Sequence, residues 1–371
     1  MKIRYKLPLS LLPVTLLLAC GVALAQGQVQ STTPFLLEPE SALQETPKRR
    51  EEFLTPLTGQ VVEPASNMQT GVSIDRYIGE PEKSPARRWR NVMFVQNILR
   101  SGDPDPARPG NPGAVLKMNR TMDLATLPAR NITPLVAATD QFIVYVQSGQ
   151  GRLDDGKLFW DLRPGVAVLV PVGAMHRFTN TGDAPVKMLV LTQGTAEPPT
   201  TPRTDMLVRD TNLMGMSEEN VHWSNMSKVV FGAGDGMAGG GRILLVFMGP
   251  MTIAGPHSHV PGTEEMWVKV TGGSALMQMG SEIRPWRQNM AILAPPNGRT
   301  VHAAINTSNQ IQHWLYFGAF PRNPNPNPQA GRGGGGGGRG NQPPSFPQQA
   351  ADRATVAGKA LSSLPGDAYK W

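Results

Sequence analysis

Three histidines and one glutamate carry the most specific chemistry in the sequence. His257 and His259 stand two apart in Gly255-Pro-His-Ser-His-Val-Pro-Gly-Thr-Glu-Glu-Met-Trp. In an extended segment, residues i and i+2 share a face, so two imidazoles would leave one surface with their Cα atoms roughly 6–7 Å apart. A Val-Pro-Gly-Thr turn follows, and Glu265 opens a strand that stops at Gly272. Antiparallel pairing of the two segments predicts a carboxylate beside the two imidazoles. His302 comes later, after a Pro-Pro-Asn-Gly turn, at the start of another short strand. Three imidazoles and a carboxylate are a usual ligand set for one divalent transition metal. With no sulfur it suits Mn or Fe(II), and Zn, Ni or Cu stay open by affinity. The chain has six histidines, too few for this pattern to be expected of scattered ones. His222 and His313 lack motif support and read as structural. Glu264 is expected to face solvent, with a second role as a base.

The two segments resemble the motifs of the cupin superfamily, roughly G-x5-H-x-H-x3–4-E-x6-G and P-x-G-x2-H-x3-N. The stretch from Gly249 to Gly272 follows the first motif in residue types and more loosely in spacing, with five residues between His259 and Glu265 and six between Glu265 and Gly272. The stretch from Pro296 to Asn306 follows the second, with one extra residue between Gly298 and His302. The resemblance implies a small jelly-roll barrel with His257, His259, Glu265 and His302 as metal ligands. Alternation along the Glu265 strand points Glu265, Trp267 and Lys269 inward and Met266, Val268 and Val270 to the other layer. Trp267 is then a pocket wall, and Arg299 stands where it could meet an anionic substrate at the mouth. An inward Lys269 needs a partner or a place at the barrel end.

The pattern occurs twice. Gln141-Phe-Ile-Val-Tyr-Val-Gln-Ser-Gly149 aligns with Glu265–Gly272, and Pro171–Asn180 aligns with Pro296–Asn306, at offsets of 123 and 126 residues. Strand-like runs separated by Gly and Pro clusters fill both halves, with no long helical period. The expected fold is all-β: two tandem cupin barrels, with an irregular N-terminal arm and a Gly/Pro-rich C-terminal tail. The first barrel has lost the paired histidines. His176 remains, with Asp140 or Gln141 beside it, and one imidazole does not hold a metal.

The flanks differ in texture. Residues 1–25 read as an export leader: Lys2, Arg4 and Lys6, an apolar run, and an Ala23-Leu24-Ala25 cleavage site. An alternative is a lipoprotein box ending at Cys20, the one cysteine of the chain, which would anchor the protein by a lipid. The apolar run is short for a membrane span. The boundaries read as an arm over 26–88, a first barrel over 89–197, a linker over 198–221 and a metal barrel over 222–320. A Pro/Gly-rich tail over 321–347 and a segment over 348–371 with one short helix complete the chain. The net charge of +7 comes from the leader and the segment after Phe320. The middle is near neutral, so nucleic acid is not an expected partner.

Two functions are compatible with this reading. One is an exported, metal-dependent enzyme of dioxygenase, decarboxylase or isomerase type, acting on a small oxygenated or carboxylated molecule. The other is a non-catalytic binding or storage protein with a structural metal. Pairing of barrel edges would make either a homo-oligomer.

Overall fold

Val166-Ala-Val-Leu-Val170 is apolar at every position and buried at every position. Such a run marks a strand covered on both faces. In the computed structural model one face of this strand lines a barrel and the other lies in the seam between two barrels. The structure describes residues 74–319 and 354–366, apart from 109, 195–198 and 200. The expected leader with Cys20, the expected arm up to residue 73 and the expected tail over 321–347 lie outside the described residues.

Each barrel is a jelly roll of two facing antiparallel sheets. In the first barrel the eight-stranded sheet centres on Phe142–Ser148, flanked by Val166–Val170 and Val186–Gln193. A five-stranded sheet with Gly151–Asp154 and Met175–Asn180 faces it. In the second barrel, Glu264–Lys269 takes the matching central place, between Ala291–Ala294 and Gln312–Ala319. Ala275–Met279 and His302–Asn306 lie in the three-stranded sheet opposite. The duplication reaches single side chains. The Asn180 amide donates to the carbonyls of Leu127, Pro128 and Ala184. The Asn306 amide donates to those of Met248, Gly249 and Gln310. In both barrels the last residue of the second motif ties its strand to a neighbouring strand end through its own buried amide.

The segments expected to be irregular contribute strands. Ile78–Gly79, from the arm, pairs with Ala291–Ala294 of the second barrel. Leu207–Asp210, in the expected linker, pairs with Val166–Val170, and Glu218–Val221 pairs with Asn225–Phe231. The described part of 348–371 forms no α-helix. Lys359–Ala360 pairs with Leu158–Leu162, and only a short 3-10 turn, Leu361–Ser363, follows. Gly358 packs directly on the Trp160 ring, where a Cβ would come within 2.8 Å. Covering a sheet edge satisfies the backbone of this short segment, which an isolated helical turn cannot do in water.

Glu264 does not face solvent. It is buried in the seam and accepts hydrogen bonds from the backbone N–H groups of Lys117, Met118 and Asn119, at 2.5, 2.8 and 2.9 Å, and from the Asn119 amide at 2.7 Å. A charged acceptor shared by four donors fixes the register of one barrel against the other. Glu264→Ala orphans these donors and is expected to lower the unfolding free energy by roughly 3 kcal/mol, measured by chemical denaturation.

Lys269 points inward, as alternation requires, and finds its partners at the barrel end. Its ammonium donates to the carbonyls of Thr271, Gly272 and Gly273. Burial lowers its pKa from 10.5 to about 8. Between these values the folded chain sheds a proton that the unfolded chain keeps, so this group's contribution to stability rises with pH. Denaturation of wild type and Lys269→Met across pH 8 to 10.5 should show that rise in wild type and not in the variant.

Candidate metal centre

Three separate backbone segments bring the four expected ligands together. Gly255–Thr263 carries two prolines, which lack N–H groups, and it does not form a hairpin with the Glu265 strand. It bridges instead to the strand on the opposite sheet: His257 N–H donates to His302 C=O at 3.2 Å, and His302 N–H returns to His257 C=O at 2.9 Å. The carboxylate therefore meets the imidazoles across the barrel rather than along a shared turn. Gly298, with φ +72°, lets the two motif turns touch, because a Cβ there would lie 2.5 Å from the Pro261 ring. The extra residues in both motifs are taken up in these turns, where Thr263 N–H bonds to Val260 C=O and the Asn297 side chain caps Arg299 and Thr300.

One ligand atom from each of His257, His259, Glu265 and His302 lies within 4.8 Å of the others. Imidazole centroids are 4.8 Å apart for His257 and His259, 4.4 Å for His257 and His302, and 5.1 Å for His259 and His302. Glu265 and His302 are buried, while His257 and His259 are half-buried, so the cluster opens on the side of the paired histidines. His257 Nδ1 donates to Gly255 C=O at 2.9 Å, which turns Nε2 inward as a bare lone pair. His302 Nδ1 lies 3.4 Å from Thr300 C=O. Trp267 Nε1 donates to Glu265 Oε1 at 2.7 Å.

These residues fit a metal ion. His257 Nε2, His259 Nε2 and Glu265 Oε2 are buried with no hydrogen-bond partner. His259 Nε2 and Glu265 Oε2 press together without hydrogen-bond geometry. Buried polar atoms ordinarily pair, and converging lone pairs need a shared cation. Burial pushes the His257 pKa down to about 3, helped by the nearby His302 and His222, so this imidazole is neutral and ready to ligate. Burial alone would raise the Glu265 pKa. The contacts from His259 and His302 outweigh it and hold the carboxyl below the usual range.

The other sequence-derived residues fall as follows. Trp267 is buried under the cluster, 5.1 Å from the His302 ring and 5.7 Å from Trp314. Arg299 stands exposed in the Asn297 turn. In the first barrel, His176 is fully buried between Phe142 and Phe178. Asp140 pairs with Arg120. Gln141 turns to the second half, donating to Gly236 C=O and accepting from Ala238 N–H. The three do not converge. A cavity of about 640 Å³ opens in the seam, lined among others by Lys117, Asn119, Gln193, Glu264, Leu293 and Pro296, and none of the four ligands lines it.

Three residues at the centre were not singled out by motif. His222 stacks on His257, with centroids 3.6 Å apart and planes 8° apart. It and the exposed Trp223 hold positive φ, at +48° and +74°, a conformation that costs non-glycine residues roughly 1–2 kcal/mol each. The hairpin tip they form is tied down, because Gly255 N–H donates to His222 C=O at 2.7 Å. Tyr316, buried on the strand beside Glu265, turns its hydroxyl to Glu265 and Arg242. Inward alternation along Gln312–Ala319 is the sequence feature that could have found Tyr316. Nothing local marks His222. His313 packs on Phe247 at 4.3 Å.

A cupin domain profile matches residues 138–192, inside the first barrel. No curated protein matches the sequence at a significant level. Among solved structures, the fold is similar to a putative glyoxylate-induced protein from Pseudomonas aeruginosa, at 14% identity over 64% of this chain and 84% of that one, with a TM-score of 0.50. It is also similar to AerE from Microcystis aeruginosa, at 13% identity over 66% of this chain and 100% of that one, TM-score 0.49. A third is the oxalate decarboxylase of Lactobacillus farciminis in a formate complex, at 11% identity over 67% and 88%, TM-score 0.49. Residues 138–192 are thus a cupin domain, and the chain has the two-barrel cupin fold.

Two substitutions test the centre. Glu265→Ala should purify without stoichiometric metal, read by elemental analysis. Trp267→Phe keeps an aromatic ring but removes the N–H given to the carboxylate. It should weaken metal affinity about 10- to 100-fold, read by titration against a competing chelator.

Proposed function

We propose that this chain is an exported metal-dependent enzyme, of dioxygenase, decarboxylase or isomerase type, acting on a small oxygenated or carboxylated molecule. The observation that supports it is the cluster itself: three imidazoles and one carboxylate converge on a point that two half-exposed histidines leave open to solvent. His257, His259, Glu265 and His302 would hold the ion, and Mn or Fe(II) suits their nitrogen and oxygen donors. A bound ion would act as a Lewis acid toward an oxygen of the substrate. The protein's part is positional. Trp267 donates to the Glu265 carboxylate, Tyr316 lies near it on the neighbouring strand, and Trp267, Trp286 and Trp314 pack as a buried apolar floor beneath the site. Export follows from the leader, where a cysteine-free mature chain would owe nothing to disulfides.

The test uses the full mature protein, loaded in turn with Mn(II), Fe(II) and Zn(II), on a panel of small aliphatic, aromatic and sugar acids. Oxygen uptake or carbon dioxide release is expected with at least one metal, to vanish on chelation, and to return when the metal is restored. A stoichiometric, non-exchanging metal with no turnover across the panel would favour the storage-type reading instead.

A further inference from the structure

The seam between the barrels holds a cavity of about 640 Å³ that the metal centre does not use. Both barrels build its inner wall. In the second, Glu264 lies opposite Ala319 and shares its face. Met266, two residues on, lies opposite Leu293, so Leu293 belongs to that face as well. In the first, Gln193 lies opposite Asn119. The outer wall is the loop that carries Pro104 and Pro106. It is fixed through its backbone: Arg76 donates to the carbonyls of Asp103, Asp105 and Arg108, and the Tyr77 hydroxyl donates to Pro104 C=O at 2.8 Å. Gly239, with φ +68°, closes another side, and a Cβ there would meet only Ala319, at 3.8 Å. The polar groups of the wall are paired, with one exception. Asp103 and Asp105 are bound to Arg108, and Glu264 accepts from four donors. Gln193 is 4% exposed, its Nε2 donates to Ala238 C=O at 3.4 Å, and its Oε1 is buried with no hydrogen-bond partner. Turning the amide over would set oxygen against oxygen, so the open atom is an acceptor. A buried acceptor without a partner is costly, and a donor from a bound molecule would relieve it.

We propose that this cavity is a second binding site, for a neutral, mostly apolar molecule of two-ring size whose hydroxyl donates to Gln193 Oε1. The volume lies within the roughly 300–1,000 Å³ of small-molecule pockets and exceeds the roughly 150 Å³ that takes one benzene ring. Pro104, Pro106, Leu293 and Ala319 give the rings apolar surface. The acids of the wall are already paired, and Lys117 is exposed at the mouth, so a charged group carried inward would be buried without a counter-charge. None of the four metal ligands lines the cavity, so the site stands apart from the metal-enzyme reading. Its occupant touches both barrels, and binding stabilises the seam by mass action.

The experiment is calorimetric titration of the full-length protein with 2-naphthol, 2-methoxynaphthalene and 2-naphthoate. The naphthol should bind about fivefold more tightly than its methyl ether, although the ether is the more apolar, because only the naphthol carries a donor. It should bind about tenfold or more tightly than the naphthoate, whose charge has no partner inside. Gln193→Leu removes the acceptor and should erase the preference for naphthol over ether. Ala319→Leu, on the face of Glu264, fills the cavity and should weaken all three about tenfold or more. It decides the matter if Gln193→Leu does not fold. Both variants should keep the metal content of wild type. No binding of 2-naphthol, an ether that binds as tightly as the naphthol, or unchanged affinities in Ala319→Leu would overturn the site. Naphthol binding that is lost in Glu265→Ala and kept in Ala319→Leu would place the probe at the metal centre, and would overturn it too.

Discussion

A carboxylate with almost no exposure sits inside an apolar barrel, and the second half of the chain is built to keep it charged. Glu265 is 1% exposed. An isolated buried charge is costly unless it is paired and hydrogen-bonded. Trp267, Tyr316, His259 and His302 all turn toward it. Each comes from a different place: two residues along the same strand, the neighbouring strand, the proline-bound loop and the opposite sheet. The barrel must close for them to meet. Folding of this half and assembly of the ligand set are therefore one event, and a bound cation would stabilise both together.

Adjacent glutamates on one strand show how sharply position divides chemistry. The strand alternates its faces, so Glu265 enters the cup and Glu264 enters the seam. One joins the three imidazoles; the other is saturated by four N–H donors of the first barrel. The first barrel, which shows no such ligand set among its described residues, is thereby mechanically coupled to the strand that carries the acid.

Much of this was legible in the sequence. The repeat spacing exposed the duplication, and the His-x-His pair, the glutamate and the later histidine named the ligands that converge. Alternation placed Lys269 inward. What could not be read was anything depending on partners far along the chain. Glu264 looks like a surface acid until Lys117 to Asn119 are seen beside it. The paired histidines look like half of a hairpin with Glu265, yet two prolines leave that loop short of donors and it bridges to His302. His222 lies outside both motifs and reaches His257 only because a strained hairpin tip folds back over Gly255. The short strands at Ile78–Gly79 and Lys359–Ala360 have no periodicity to show, because two residues cannot display one.

Those two short strands have a consequence for how the molecule could be divided. The segment that precedes the first barrel completes an edge of the second, and the segment that follows the second barrel completes an edge of the first. The chain is laced crosswise, like a parcel whose string passes over both halves. Cutting it between the barrels would not yield two whole modules: each fragment would carry away the other's selvage. With this lacing in place, neither barrel could be discarded without opening an edge of the other.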